Sequence, residues 1–221
     1  MRVVGCGWSA LPAIHHFTDV ENLERILLSG AVCCHRAAAC VVDIGDTSIK
    51  SRRTQIDVPC GPGGKVCDYI PFYFAPCSPM LYSIQRGNVP GVSPDPRRIV
   101  YLTSSTEAAY NAGLACVFTD GNAAAAFTAF HDDPAMLAQV IDWPLMRARY
   151  WANTPEDSDR RRRRGAEFLV HDILPLGLVT EIGVHDDSVR SRVTRARDES
   201  GCHDRGSHPP RLVFLGPWSS S

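Results

Sequence analysis

Between Arg160 and Asp172 the chain reads RRRRRGAEFLVHD: five arginines in a row, two small residues, one glutamate and an apolar run. Phe168, Leu169 and Val170 have strand-forming character, which sets Glu167 at the start of a buried strand. Burying an unpaired carboxylate is expensive, so Glu167 is expected to face a cleft and to meet a cation, a hydroxyl or a ligand. Taken alone, the stretch is satisfied at least as well by a strand-end glutamate paired with its own arginine neighbours. A second chemical candidate lies near the start. Residues 14–17, IHHF, read as a short strand, and Thr18 with Glu21 forms a T-x-x-E capping box for a helix on Val20, Leu23, Ile26 and Leu27, closed by Gly30. His16 then falls where strand gives way to helix, a place where backbone donors and side chains can meet a phosphate or ribose. A lone histidine is usually structural, and His15 beside it leaves the choice open.

The elements that must position these residues are short. Residues 31–64 dissolve into small residues, cysteines, Lys50, Arg52 and Arg53, then the turn cluster PCGPGG. A loop of that length tends to be disordered or to fold over a ligand, so 31–64 is read as a cofactor-covering loop with Arg52 or Arg53 inside it. Gly61, Gly63 and Gly64 make no phosphate-binding fingerprint. DYIPFYFA at 68–75 is the most strand-like run, 78–84 a short helix with Met80 and Tyr82, 97–104 and 115–119 further strands, and Asp120 a cap for a helix through the alanines to Phe130. Two short helices are expected within 131–159, a strand over 178–185, a surface helix over 188–197 and a last strand over 211–215. Strands and helices mix without a βαβ rhythm, which predicts one α+β domain over 1–221.

The bulk numbers exclude more than they assign. The 221 residues are 44% hydrophobic and 21% charged with net charge −1, so affinity for nucleic acid must come from local patches such as Arg160 to Arg164. The nine cysteines form no C-x-x-C pair, and their irregular spacing argues for reduced thiols and no metal. No apolar run suits a signal peptide or a membrane span, which predicts a cytoplasmic protein with no membrane partner.

Taken together, IHHFTDVENL, the SRR of Ser51 to Arg53, DYIPFYFAPCSPMLY, FTDGNAA and YWANTPEDSDRRRRRGAEFLV resemble the DarT family, the DNA ADP-ribosyltransferase toxins of DarTG toxin–antitoxin systems. The resemblance implies an ADP-ribosyltransferase fold that takes NAD as substrate and transfers ADP-ribose to a base, thymine or guanine, of single-stranded DNA. An ADP-ribosyltransferase of protein or RNA, or an inactive binding module, are the alternatives. The implied catalytic residues are Glu167 and Arg53. His16, Thr18, Asn22, Arg53 and Tyr73 are implied to hold NAD, with the histidine donating to the ribose. Met80 and Arg160, Arg161, Arg162, Arg163 and Arg164 are implied to meet DNA, the arginines within a substrate-binding loop region at 131–166. A macrodomain antitoxin is the implied protein partner. Two departures stand out: Cys77 where the family carries arginine, and a tail ending GPWSSS in place of paired tyrosines.

The residue types suit that chemistry. Cleaving the nicotinamide bond develops positive charge on the ribose, and a fixed carboxylate favours it. A guanidinium is a poor general base, so Arg53 is read as a charge clamp.

Overall fold

Apolar residues on both sides of the strands bury both faces of one sheet. Phe168 and Val170 join Ile14, Ile70, Phe72, Val100, Leu102 and Phe118 in the main core, while the intervening Leu169 packs with Tyr69 and Val117 in a second. The computed structural model describes residues 12–37, 42–93, 95–185, 187–199 and 210–214.

In chain order the elements are β1 (Ala13–Asp19), α1 (Val20–Ser29), β2 (Ala31–Cys33), α2 (Thr47–Arg53), β3 (Tyr69–Tyr73), α3 (Pro79–Gln85), β4 (Ile99–Ser105), α4 (Thr106–Asn111), β5 (Cys116–Thr119) and β6 (Phe130–His131). They continue with α5 (Leu137–Val140), α6 (Trp143–Arg147), α7 (Arg160–Arg164), β7 (Glu167–His171), β8 (Ile173–Pro175), β9 (Glu181–Val184), α8 (Asp187–Glu199) and β10 (Arg211–Phe214). Eight strands form one sheet in the order β10-β9-β4-β1-β3-β7-β5-β6, and β2 pairs with β8 in a small second sheet. All pairs are antiparallel except β9 with β10. This is the α+β architecture expected.

One junction opens the sheet. β1 pairs along its whole length with β4, yet meets β3 in register only at His15↔Tyr73. Pro71, in the middle of β3, has no N–H to give a ladder, and its carbonyl accepts from His16 Nδ1 at 2.9 Å. The strands therefore part just where candidate site residues stand.

Two local expectations are corrected. The cap of α1 is Asp19, not Thr18: β1 runs through Asp19, whose carboxylate accepts from the Glu21 N–H at 2.9 Å and pairs with Arg98, while the Thr18 hydroxyl accepts from Asn22. Gly30 does close the helix, at φ 72°. The alanines after Asp120 form turns and no helix. Asp120 Oδ1 accepts from the Ala129 N–H and the Asn122 carboxamide oxygen from that of Ala124, so side chains claim the donors that a helix would use.

Candidate active site

Glu167 is the first residue of β7 and is fully buried at 0% exposure. Its N–H donates to the Thr119 hydroxyl at 3.0 Å, which in turn donates to the Gly121 carbonyl at 2.7 Å. Oε1 accepts the Ala123 N–H at 2.9 Å, and Oε2 accepts from Arg53 Nη1 at 2.8 Å. A buried carboxylate is thus held by a neutral donor on one oxygen and a cation on the other.

Arg53 is the last residue of α2, a helix capped by Asp46 through the Ser48 and Ile49 N–H groups. Burial opposes its charge, but the Glu167 carboxylate outweighs burial and its pKa is net raised. It therefore stays a guanidinium, as the clamp reading requires. Among the described residues its buried Nη2 has no hydrogen-bond partner, a donor left over for a ligand. Tyr73 lies opposite Glu167 in the β3–β7 register and stacks on Phe17 at 5.7 Å. Burial, aided by the Glu167 charge, pushes the Tyr73 phenol well above its ordinary range.

These residues border a cleft of about 380 Å³ where β1 and β3 diverge. His16, Thr18, Asn22, Arg53, Tyr73 and Met80 all line it, so residues up to 64 positions apart in sequence converge on one cleft. Glu167 lies behind Arg53. Segment 42–53, with α2, forms one wall, and β2 and α2 give 31–64 more structure than a loop.

His16 acts differently from the expectation. Burial lowers its pKa, with the Pro71 carbonyl pulling it partly back. A neutral imidazole that donates from Nδ1 to a carbonyl leaves Nε2 as an acceptor, so His16 can receive a hydroxyl hydrogen but not donate one. Asn22 is likewise committed. Its carboxamide accepts the Val42 N–H at 3.0 Å, donates to the Val42 carbonyl at 2.7 Å and donates to Thr18 at 2.9 Å. It ties the wall to α1.

The arginine run is a helix whose five side chains meet different surroundings. Arg164, 4% exposed, donates from Nη1 to the carbonyls of Leu145, Met146 and Ala148 and from Nε to that of Cys77. Arg163 pairs with Asp142 and Asp157, and Arg162 with Asp120 and Asp159. These three are occupied within the protein: they bind α7 to the segments around it. Arg160 forks onto the carbonyls of Tyr150 and Ala152, and Arg161 is exposed. Only these two present guanidinium groups outward.

Residues that the sequence reading missed are the supports: Thr119, the Ala123 N–H, and the Asp120–Arg162–Asp159 strut. The Asn122 N–H also donates to the Arg162 carbonyl at 3.1 Å, so the turn that aims Ala123 at Glu167 is fastened to α7. FTDGNAA belonged to the resemblance, yet nothing in its letters announced a backbone donor. Among the described residues no group of three or more His, Cys, Asp or Glu side chains could hold a metal.

The comparisons with known proteins agree with one another. A sequence model of a family described as DarT, ssDNA thymidine ADP-ribosyltransferase, matches residues 15–214. A DNA ADP-ribosyl transferase of Thermus aquaticus is 37% identical over 192 residues, 86% of this chain and 82% of that protein. The structure of Thermus sp. 2.9 DarT in complex with ADP-ribosylated ssDNA matches with TM-score 0.82 and 34% identity, over 92% of this chain and 93% of that one. The same protein in complex with NAD+ matches with TM-score 0.78 and 32% identity, over 94% and 96%. Thermosipho africanus DarTG in complex with ADP-ribose shares the fold, with TM-score 0.72 and 20% identity over 92% of this chain and 50% of that one.

Proposed function

The chain belongs to the DarT family of DNA ADP-ribosyltransferases, and from that premise we propose that it uses NAD to ADP-ribosylate a thymidine of single-stranded DNA. The observation that carries the reading is the buried Glu167 carboxylate, held by Ala123 and Arg53 behind a cleft that His16, Thr18 and Tyr73 border. The site suits the substrate. The cleft offers an imidazole acceptor for a ribose hydroxyl and an unpartnered Arg53 Nη2 for an anionic or carbonyl oxygen.

In transfer, the bond between the ribose C1′ and nicotinamide breaks and nicotinamide leaves as a neutral molecule with the bonding pair. A nitrogen of the base supplies the new pair to C1′ and loses its proton to solvent. Glu167 contributes fixed negative charge where the ribose becomes cationic, in a site too dry for water to screen it. Arg53, being permanently charged, orients Glu167 and stabilises negative charge on the attacking base. His16 and Thr18 align the ribose so that little motion remains to be frozen at the moment of reaction.

A macrodomain that removes the mark is the partner we propose, on the resemblance to DarTG systems. A cytoplasmic setting follows from DNA being the acceptor; among the described residues no helix is long and apolar enough to cross a membrane. The test incubates the protein with NAD and matched single-stranded DNA, duplex DNA, RNA and protein extract, followed by mass spectrometry. The ADP-ribose increment should appear on unpaired DNA, since a stacked and paired base must first be extruded at a cost of a few kcal/mol. Labelled RNA or protein beside unmarked DNA of all short motifs would overturn the acceptor.

A further inference from the structure

One turn grips Glu167 twice. The Thr119 hydroxyl takes the Glu167 N–H and donates to the Gly121 carbonyl, which ties the backbone, and the Ala123 N–H donates to Oε1 at 2.9 Å, which ties the side chain. Residues 120–124 lie outside any helix or strand, so something else must hold them. Arg162 of α7 does so at two successive positions. Its carbonyl accepts the Asn122 N–H at 3.1 Å, and its Nη1 donates to Asp120 Oδ1 at 2.9 Å. Nε and Nη2 donate at the same time to the Asp159 carboxylate, so the guanidinium bridges the turn to the entry of α7.

The circuit closes on itself. From Arg162 the chain passes through Gly165 into Glu167, so the carboxylate, Ala123, Asn122, Arg162 and the backbone between form a ring. Two glycines make room for it. A Cβ on Gly165 would stand 3.2 Å from that of Asn122, and one on Gly121 would overlap the Arg162 guanidinium, although the Gly121 backbone is not left-handed. Ion pairs as exposed as those of Arg162 with Asp120 and Asp159 add little to stability, so what they contribute is position.

We propose that Arg162 is a positioning residue for the transfer: through the turn it fixes Oε1 of Glu167, and so leaves Oε2 and Arg53 to respond to the substrate. The inference rests on the reading that Glu167 carries the transfer to DNA. Nicotinamide release and marking of a single-stranded oligothymidine by the full chain are measured across NAD and strand concentrations.

Arg162→Ala should lower kcat at least about tenfold, because a small misplacement of a reacting group is costly in rate. KM for NAD and for the strand should stay within about threefold of wild type, which also reports an intact fold. Gly121→Ala keeps every charge but displaces the guanidinium, so it should lower kcat likewise and add nothing to Arg162→Ala. Arg162→Ala should also add nothing to Glu167→Gln, which has no charge left to position. If wild type marks the strand while either variant keeps wild-type kcat, or if the loss adds in Glu167→Gln, the brace is wrong and the acceptor stands. A raised KM for the strand with kcat intact would place Arg162 on DNA instead. If wild type neither releases nicotinamide nor marks unpaired DNA, both the brace and the transfer reading fall.

Discussion

Glu167 and Arg53 form a buried pair, and a pair of that kind is more sensitive to losing one member than to losing both. Glu167→Ala strands a buried guanidinium, which should destabilise the fold by roughly 3–5 kcal/mol. Arg53→Leu/Glu167→Leu removes both charges and should be more stable than either single change, as urea denaturation would report. For catalysis the better probe is Glu167→Gln, which retains shape and an acceptor but not the charge. We expect transfer to fall at least about a hundredfold, the scale of losing one fixed electrostatic contact, with NAD affinity within severalfold of wild type. Wild-type turnover in that variant would remove Glu167 from the mechanism.

At the scale of elements, the cleft depends on how segment 42–53 is fastened. Asn22 holds both polar groups of Val42, and α2 ends on Arg53, so the position of the guanidinium is set partly by a carboxamide on α1. Asn22→Ala leaves two backbone groups to find other partners, each worth about 0.5–1.5 kcal/mol. The expected result is a KM for NAD raised about tenfold with kcat changed less, because substrate binding must then reorder the wall. An equal fall in kcat and kcat/KM, with KM unchanged, would instead mean that Asn22 acts on the transition state. The strut from Asp120 through Arg162 to Asp159 does the same for the opposite wall: it holds the turn whose Ala123 N–H steadies Glu167.

For the whole molecule, His15 and His16 couple stability to pH. Burial lowers both pKa values below the ordinary 6.5, with the Glu181 charge opposing this at His15 and the Pro71 carbonyl at His16. The fold therefore favours the neutral imidazoles, and the unfolded chain binds protons first as pH falls. Stability from these groups is complete above about pH 6.5 and declines as pH drops from there toward the folded pKa values. Urea midpoints should be level between about pH 8 and 7 and fall below about 6.5, and the fall should be shallower in His16→Asn. A wild-type curve with the same slope as the variant would mean that His16 does not titrate in this window.

The sequence by itself determined the elements whose signals are local. DYIPFYFA had to be a strand because aromatic and branched residues fill both its faces, Gly30 ends α1 because the chain turns left-handed there, and Ser78 caps α3 through the Leu81 N–H. The candidate residues were legible as well, since the segments carrying His16, Arg53, Tyr73 and Glu167 resemble one family in order. Tertiary structure alone decided their states. Five identical arginines divide into a buried strut, two ion-paired braces and two outward cations because α7 turns each toward a different neighbour, a difference invisible in RRRRR. The alanines after Asp120 have helical propensity, but side-chain acceptors on Asp120 and Asn122 capture their N–H groups and the Glu167 carboxylate takes that of Ala123. His16 became an acceptor only because the carbonyl of a proline 55 positions away claimed its proton. Such roles depend on which groups meet across the fold, and separation along the chain carries no record of that.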